Sequence, residues 1–238
     1  MKEKTLIIKN ITREGLGLLE DVLKEYNIGY TIVDLSTVQN FPPIKNFKAV
    51  VVLGGPDSAN DNNLKMQTEL SYIRSVLDAN IPYLGICLGL QIMVKAAGGN
   101  VIKSHVKEAG FKDIYGKNFT VELTEEGKID PLFDGLKSSF NVFHLHGETV
   151  ELTDDIALLA EGKYCKNQIV KIGSNAYGIQ SHFELTQEML EQWINEDPDL
   201  FKFDKDELKK DFKSLKIKYI KTGTKLFTNF LQVAGFLT

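Results

Sequence analysis

The sequence predicts an α/β fold: a doubly wound, mostly parallel sheet with helices on both faces, extended by antiparallel strands. Three observations point there. Up to Gly98, short apolar runs alternate with segments whose apolar residues recur at helical spacing. The run Ala49-Val50-Val51-Val52-Leu53 is apolar on successive residues, as in a strand buried on both faces of a parallel sheet. Beyond Gly98-Gly99 the chain changes to short β-like segments separated by turns.

In order, residues 5–8 read as a strand and 13–26 as a helix, with Leu16, Leu19, Leu23 and Tyr26 on one stripe. Strands follow at 29–35 and 47–53, then a helix at 61–79 with Leu64, Leu70, Ile73 and Leu77 on one side. Residues 81–86 form a strand that turns sharply into a helix at 90–97, closed by the glycine stop signal Gly98-Gly99. Right-handed crossovers between these strands give the doubly wound sheet. The later β-segments are 100–103, 118–123, 141–145, 156–161, 168–172 and 177–182. Helices at 187–195 and 205–231 close the chain, the second opening on a capping box of Asp204 and Glu207. Its stripe of Leu208, Phe212, Leu215, Tyr219, Leu226 and Phe230 predicts packing against the body of one domain spanning 1–238.

Composition narrows the function classes. A net charge of −4 with no basic stripe argues against nucleic acid as a partner. No apolar run approaches the roughly 18 residues of a membrane span, and the start Met1-Lys2-Glu3-Lys4 leads straight into a strand, so a cytoplasmic protein is expected. Only Cys87 and Cys165 are present, too few for a disulfide framework and without zinc spacing.

Three stretches carry chemistry. In Gly85-Ile86-Cys87-Leu88-Gly89-Leu90-Gln91, small neighbours tolerate a strained turn that lifts the sulfur toward substrate, and the helix start behind it favours negative charge there. The alternative is a small buried residue at a tight turn. His182 ends an apolar run, and Glu184, two residues on, projects to the same side of an extended segment, as a base and its orienter would or as a surface ion pair would. Gly54-Gly55-Pro56 follows a buried strand, at the edge where open α/β sheets place ligands, and its glycine amides can face an oxyanion. A plain turn is the other reading.

Together these motifs resemble the class I, or triad-type, glutamine amidotransferases. The resemblance rests on the elbow 85–91, on Gly54-Gly55-Pro56-Asp57-Ser58 and on Gly178-Ile179-Gln180-Ser181-His182-Phe183-Glu184. Phe143-His144-Leu145-His146-Gly147-Glu148 and Ala96-Ala97-Gly98-Gly99 add to it. It spans roughly 47–185 and is nearest to stand-alone proteins similar to the glutaminase part of GMP synthase. It implies a flavodoxin-like core, Cys87 as nucleophile, His182 as general base and acid, Glu184 as its orienter, and the amides of Gly55 and Leu88 as oxyanion hole. It further implies that Gln91 holds glutamine and that backbone at His144 and Leu145 contacts its α-amino and carboxylate groups. No metal or organic cofactor is implied.

The sequence departs from the family pattern at Phe183, where His-Pro-Glu is usual, and at Glu148, where Asp is more frequent. Phe183 restores a backbone donor that proline lacks. His144 and His146, at i and i+2, raise a metal reading with Glu184 as third ligand, which the family match makes unnecessary. Cys165 reads as structural and His105 as a surface or loop residue. No phosphate-loop motif is present, so the ammonia either passes to a separate synthetase subunit or is not the product that matters. In the latter case the chain acts alone on γ-glutamyl compounds. A non-catalytic regulatory subunit is the third reading, which the complete set Cys87, His182 and Glu184 opposes.

Overall fold

A computed structural model describes residues 4–37 and 40–237. Its strands are β1 (Lys4–Lys9), β2 (Gly29–Asp34), β3 (Ala49–Val52), β4 (Tyr83–Ile86), β5 (Asn100–Gly110), β6 (Thr120–Leu123), β7 (Ser139–Asn141), β8 (His144–Glu151), β9 (Ile156–Gly162), β10 (Ile169–Ile172) and β11 (Ala176–Ile179). Its helices are α1 (Leu18–Glu25), α2 (Leu64–Asp78), α3 (Leu88–Ala96), α4 (Glu125–Ile129), α5 (Gln187–Glu196) and α6 (Lys205–Val233).

The main sheet runs β2-β1-β3-β4-β11-β10-β9-β6-β7. Its first five strands are parallel. The rest are antiparallel, as the change of sequence character after Gly98 predicts. Alternate residues of the parallel strands feed two cores. Ile7, Val51 and Leu84 pack with α1 and the end of α6, whereas Leu6, Ile8, Val50 and Val52 pack with α2 and α3 on the other face. Each large side chain buried in these layers contributes about 1.5–3 kcal/mol. A third cluster, including Trp193, Phe212 and Tyr219, joins α5 and α6 beneath the ribbon formed by β5 and β8.

Several boundaries differ from expectation, among them the strand expected at 177–182, which ends at Ile179, and the helix expected at 90–97, which starts at Leu88. The first helix begins at Leu18, because Gly17 has φ 51° and a Cβ there would stand 1.9 Å from the Glu184 carbonyl oxygen. Residues 13–16 are thereby loop. The helix expected from 61 starts at Leu64, where the Asn63 side chain accepts from the Met66 amide. The strand expected at 100–103 continues to Gly110 and pairs with β8 outside the main sheet, and the segment 141–145 is divided between β7 and β8. At the last helix Asp204 accepts from the Asp206 and Glu207 amides, while the Glu207 carboxylate lies near Lys112 at 3.8 Å and no capping box closes. The apolar stripe of that helix is buried as predicted. Among the described residues, no helix is long and apolar enough to cross a membrane.

Candidate functional site

The site lies where β4 and β11 end side by side. Ile86 pairs with Ile179, and the Cys87 amide donates to the Ile179 carbonyl at 2.7 Å. Cys87 then turns the chain into α3 with φ 53° and ψ −105°, a strained conformation for a residue with a side chain. The flanking glycines make that turn possible. A Cβ on Gly85 would meet the Gly89 carbonyl at 2.4 Å, and one on Gly89 would meet the Val52 carbonyl oxygen at 2.3 Å.

Beyond β11 the chain carries Gln180, Ser181 and His182 over the sulfur. The His182 amide donates to the Phe143 carbonyl at 2.9 Å, Tyr219 donates its hydroxyl to the His182 carbonyl at 2.6 Å, and the Trp193 ring stands edge-on at 5.0 Å. His182 Nδ1 and Glu184 Oε1 are 2.6 Å apart, and Glu184 Oε2 accepts from the Phe183 amide at 2.9 Å. The residue that replaces the usual proline thus supplies a hydrogen bond to the carboxylate. Burial opposes charge on His182, yet Glu184 and Cys87 together hold the imidazole well above the ordinary 6.5. A Cβ on Gly54 would lie 3.3 Å from His182 Cε1 and 3.6 Å from Cys87 Cβ, so the glycine lets ring and thiol close up.

Cys87, His182, Gly55, Leu88, Gln91 and Leu145 all border one pocket of about 620 Å³. Leu88 opens α3, where helix amides have no partner within the helix, and a Cβ on Gly55 would lie 3.3 Å from Leu88 Cδ2. Gln91 Nε2 donates to the Glu148 carbonyl at 3.2 Å and the Gln180 side-chain oxygen at 3.4 Å, and the Leu145 carbonyl lies 3.8 Å from Cys87 Sγ. Glu184 sits behind His182 as a second layer. His144 is not at the pocket surface; its ring stands edge-on to Phe119 at 4.9 Å, with Nε2 3.8 Å from Glu108. Burial and the neighbouring His146 and His182 keep its imidazole well below 6.5.

Other residues belong to the pocket that sequence reasoning did not single out. Glu14 borders it with only 5% exposure, and burial pushes its carboxyl up to about 7 against the pull of His182. Reading 13–26 as helix concealed it, although Gly15 and Gly17 around it were a signal of loop. Arg13 pairs with Asp197, and Lys107 with Asp199, along the rim. The metal reading changes composition: Glu184 is engaged by His182, and the carboxylate beside His144 and His146 is Glu108. Cys165 is buried next to Thr149, which holds its sulfur at 3.0 Å, and burial raises its thiol to about 11. His105 is exposed, within β5.

A thiol on a strained strand-to-helix turn, an imidazole held by a carboxylate and amides at the edge of a parallel sheet make a site suited to covalent acyl chemistry on an amide. The chain belongs to the class I glutamine amidotransferases, whose family profile matches residues 16–197. It is 34% identical over 158 residues to a Salmonella typhimurium protein described as glutamine amidotransferase-like protein YfeJ, covering 64% of this chain and 63% of that one. It is 31% identical over 160 residues to one subunit of the glutamine-hydrolysing GMP synthase of Sulfolobus acidocaldarius, covering 66% and 78%. For the GMP synthase of Thermosipho melanesiensis the figures are 33% over 183 residues, 74% of this chain and 32% of the relative. The chain therefore spans less than two thirds of the first and last of these relatives. Its fold matches a crystal structure of a glutamine amidotransferase from Methylobacillus flagellatus with a TM-score of 0.86 at 21% identity, over 98% of this chain and 96% of the other. The match to one from Thermotoga maritima gives 0.84 at 23% identity, over 98% and 99%.

Proposed function

We propose that the chain hydrolyses the side-chain amide of glutamine, or the corresponding amide of a γ-glutamyl compound, through a thioester on Cys87. The observation that carries this reading is that Cys87 and His182 border one pocket, with Glu184 bonded to His182 from behind and with Gly55 and Leu88, whose amides this reading assigns to the oxyanion, on the same pocket. His182 takes the thiol proton, and sulfur attacks the amide carbon. The two amides receive the negative oxygen of the tetrahedral intermediate. His182 returns the proton to the leaving nitrogen, which departs as ammonia or an amine, and water activated by the same imidazole releases glutamate and regenerates the thiol. Glu184, fixed at both oxygens, keeps Nδ1 protonated and Nε2 turned to the reaction. Gln91 and the Leu145 backbone hold the glutamyl part.

Two destinations for the nitrogen follow. The Sulfolobus relative, itself one subunit of a GMP synthase, supports transfer to a separate synthetase chain. The pocket's extension past the sulfur to Lys107 and Asp199 supports a second reading, in which a γ-glutamyl amine larger than ammonia is the leaving group and no partner is needed. The deciding experiment measures ammonia and glutamate from glutamine, and free amine from γ-glutamyl amines, with the Cys87→Ala variant as control. Turnover lost in that variant supports the hydrolase. Absence of turnover with either substrate class, with and without a synthetase partner, overturns it.

A further inference from the structure

At His146, which itself borders the pocket, begins a buried cluster that the proposed reaction does not use. In the ribbon, Glu108 of β5 stands opposite His146 of β8, and Gly110 opposite His144. Between the pairs Lys103–Glu148 and Glu108–His146, β5 advances five residues while β8 advances two, so the ladder is interrupted where the glutamate begins. His146 Nε2 lies 3.2 Å from Glu108 Oε2, and His144 Nε2 lies 3.8 Å from Glu108 Oε1, with all three side chains 1% exposed.

These contacts are not satisfied hydrogen bonds. His146 Nε2 and Glu108 Oε2 are both buried without a hydrogen-bond partner in spite of their separation. His146 Nδ1 is 3.1 Å from the Glu148 carbonyl, which can only accept, so in the neutral ring Nδ1 carries the proton and Nε2 offers a lone pair. A lone pair turned to a carboxylate oxygen inside the protein is unfavourable unless a proton or a metal cation is shared between them.

We infer that Glu108, His144 and His146 form a binding site for a divalent transition-metal cation of the zinc class. One potential ligand atom from each residue lies within 4.8 Å of the others. Donors about 2.0–2.2 Å from one tetrahedral zinc stand roughly 3.3–3.5 Å from each other, close to the spacing of Glu108 and His146. Two imidazoles and a carboxylate suit such an ion, and a carbonyl on the far nitrogen of a ligating histidine is its usual support. Leu145, between the two histidines, carries the carbonyl that lies 3.8 Å from Cys87 Sγ. A bound ion would tie β5 to β8 directly behind the nucleophile, a structural strut rather than a participant in the hydrolysis.

The test uses the full chain, stripped of metal with a chelator and titrated with Co²⁺ as a spectroscopic substitute, followed by displacement with Zn²⁺. The expected result is saturable binding of one equivalent with visible d–d absorption, together with a rise in melting temperature. Glu108→Gln and His146→Gln should each weaken binding at least about tenfold, while Cys87→Ala binds as the parent does. Lack of saturable one-to-one binding by the parent chain overturns the inference without reference to any variant. So does binding that survives both substitutions, or binding lost in Cys87→Ala, which would move the ion to the pocket. If one of the two variants fails to fold by circular dichroism, His144→Gln replaces it in the comparison.

Discussion

Two histidine and carboxylate clusters stand close together in this molecule and differ in how their charges are satisfied. At His182, the carboxylate of Glu184 has a ring nitrogen on one oxygen and the Phe183 amide on the other. At Glu108, the carboxylate meets two imidazoles, yet Oε2 and the facing His146 Nε2 have no hydrogen-bond partner. In the first cluster both carboxylate oxygens are engaged and only the outer ring nitrogen, His182 Nε2, is without a hydrogen-bond partner, on the residue that borders the pocket with Cys87. The second is a set of donors pointed at a common centre. Burial alone therefore does not tell what a buried histidine is for; the inventory of partners on each nitrogen and oxygen does.

The comparison predicts effects of graded size. Cys87→Ala is expected to reduce amide hydrolysis at least about 10³-fold while leaving thermal stability nearly unchanged, measured by ammonia release and by melting temperature. Glu184→Gln keeps the shape but loses the charge that orients His182, and a loss of about 10²–10⁴-fold in kcat is expected. A kcat within twofold of the parent would show that the two clusters are less different than their hydrogen bonds suggest. Phe183→Pro, set against Phe183→Leu, isolates the amide that holds Glu184 Oε2, since leucine keeps the N–H and most of the apolar burial. The proline variant should be the less stable of the two by about 1.5–3 kcal/mol in urea denaturation.

A pH-dependent effect concerns a carboxyl that lacks such partners. Glu69 is buried against Asn10, and burial raises its carboxyl from the ordinary 4.5 to about 7 although the Asn10 amide, 3.2 Å away, opposes this. The folded chain then keeps a proton that the unfolded chain has released. Stability linked to this group is full below pH 4.5 and falls as pH rises through about 7. Glu69→Gln should match the parent at pH 4.5 and exceed it at pH 8 by on the order of 3 kcal/mol, as read from urea midpoints. Equal midpoints at pH 8 would show that the folded protein hydrates this carboxyl after all.

The parallel half was legible because its signals are local, whereas the proposed triad was reached only through the family resemblance, since each of its motifs alone left a plain alternative open. The continuous run at 49–53 requires two covered faces, the glycines at 85 and 89 mark a close turn, and His182 and Glu184 sit on one side of a short extended segment. The ribbon was not legible, because Lys103, Ser104, His105 and Lys107 give β5 no alternation of polar and apolar residues. Glu108 stayed hidden for a related reason: its partners lie on another strand, and only the register of β5 against β8 reveals them. Glu14 was obscured by an apolar stripe that fits a helix, whereas the φ of 51° at Gly17 lets that helix begin only at Leu18.

The pairing of Ile86 with Ile179 has a further consequence, for the order in which the protein comes into being. Cys87 and His182 meet only after β11 has docked beside β4, a contact that closes a very long loop and that ribosomal synthesis makes available late. The early strands and the elbow can form while the imidazole is still unmade. A growing chain thus carries the Cys87 thiol for some time without the imidazole that the proposed hydrolysis pairs with it, until β11 follows.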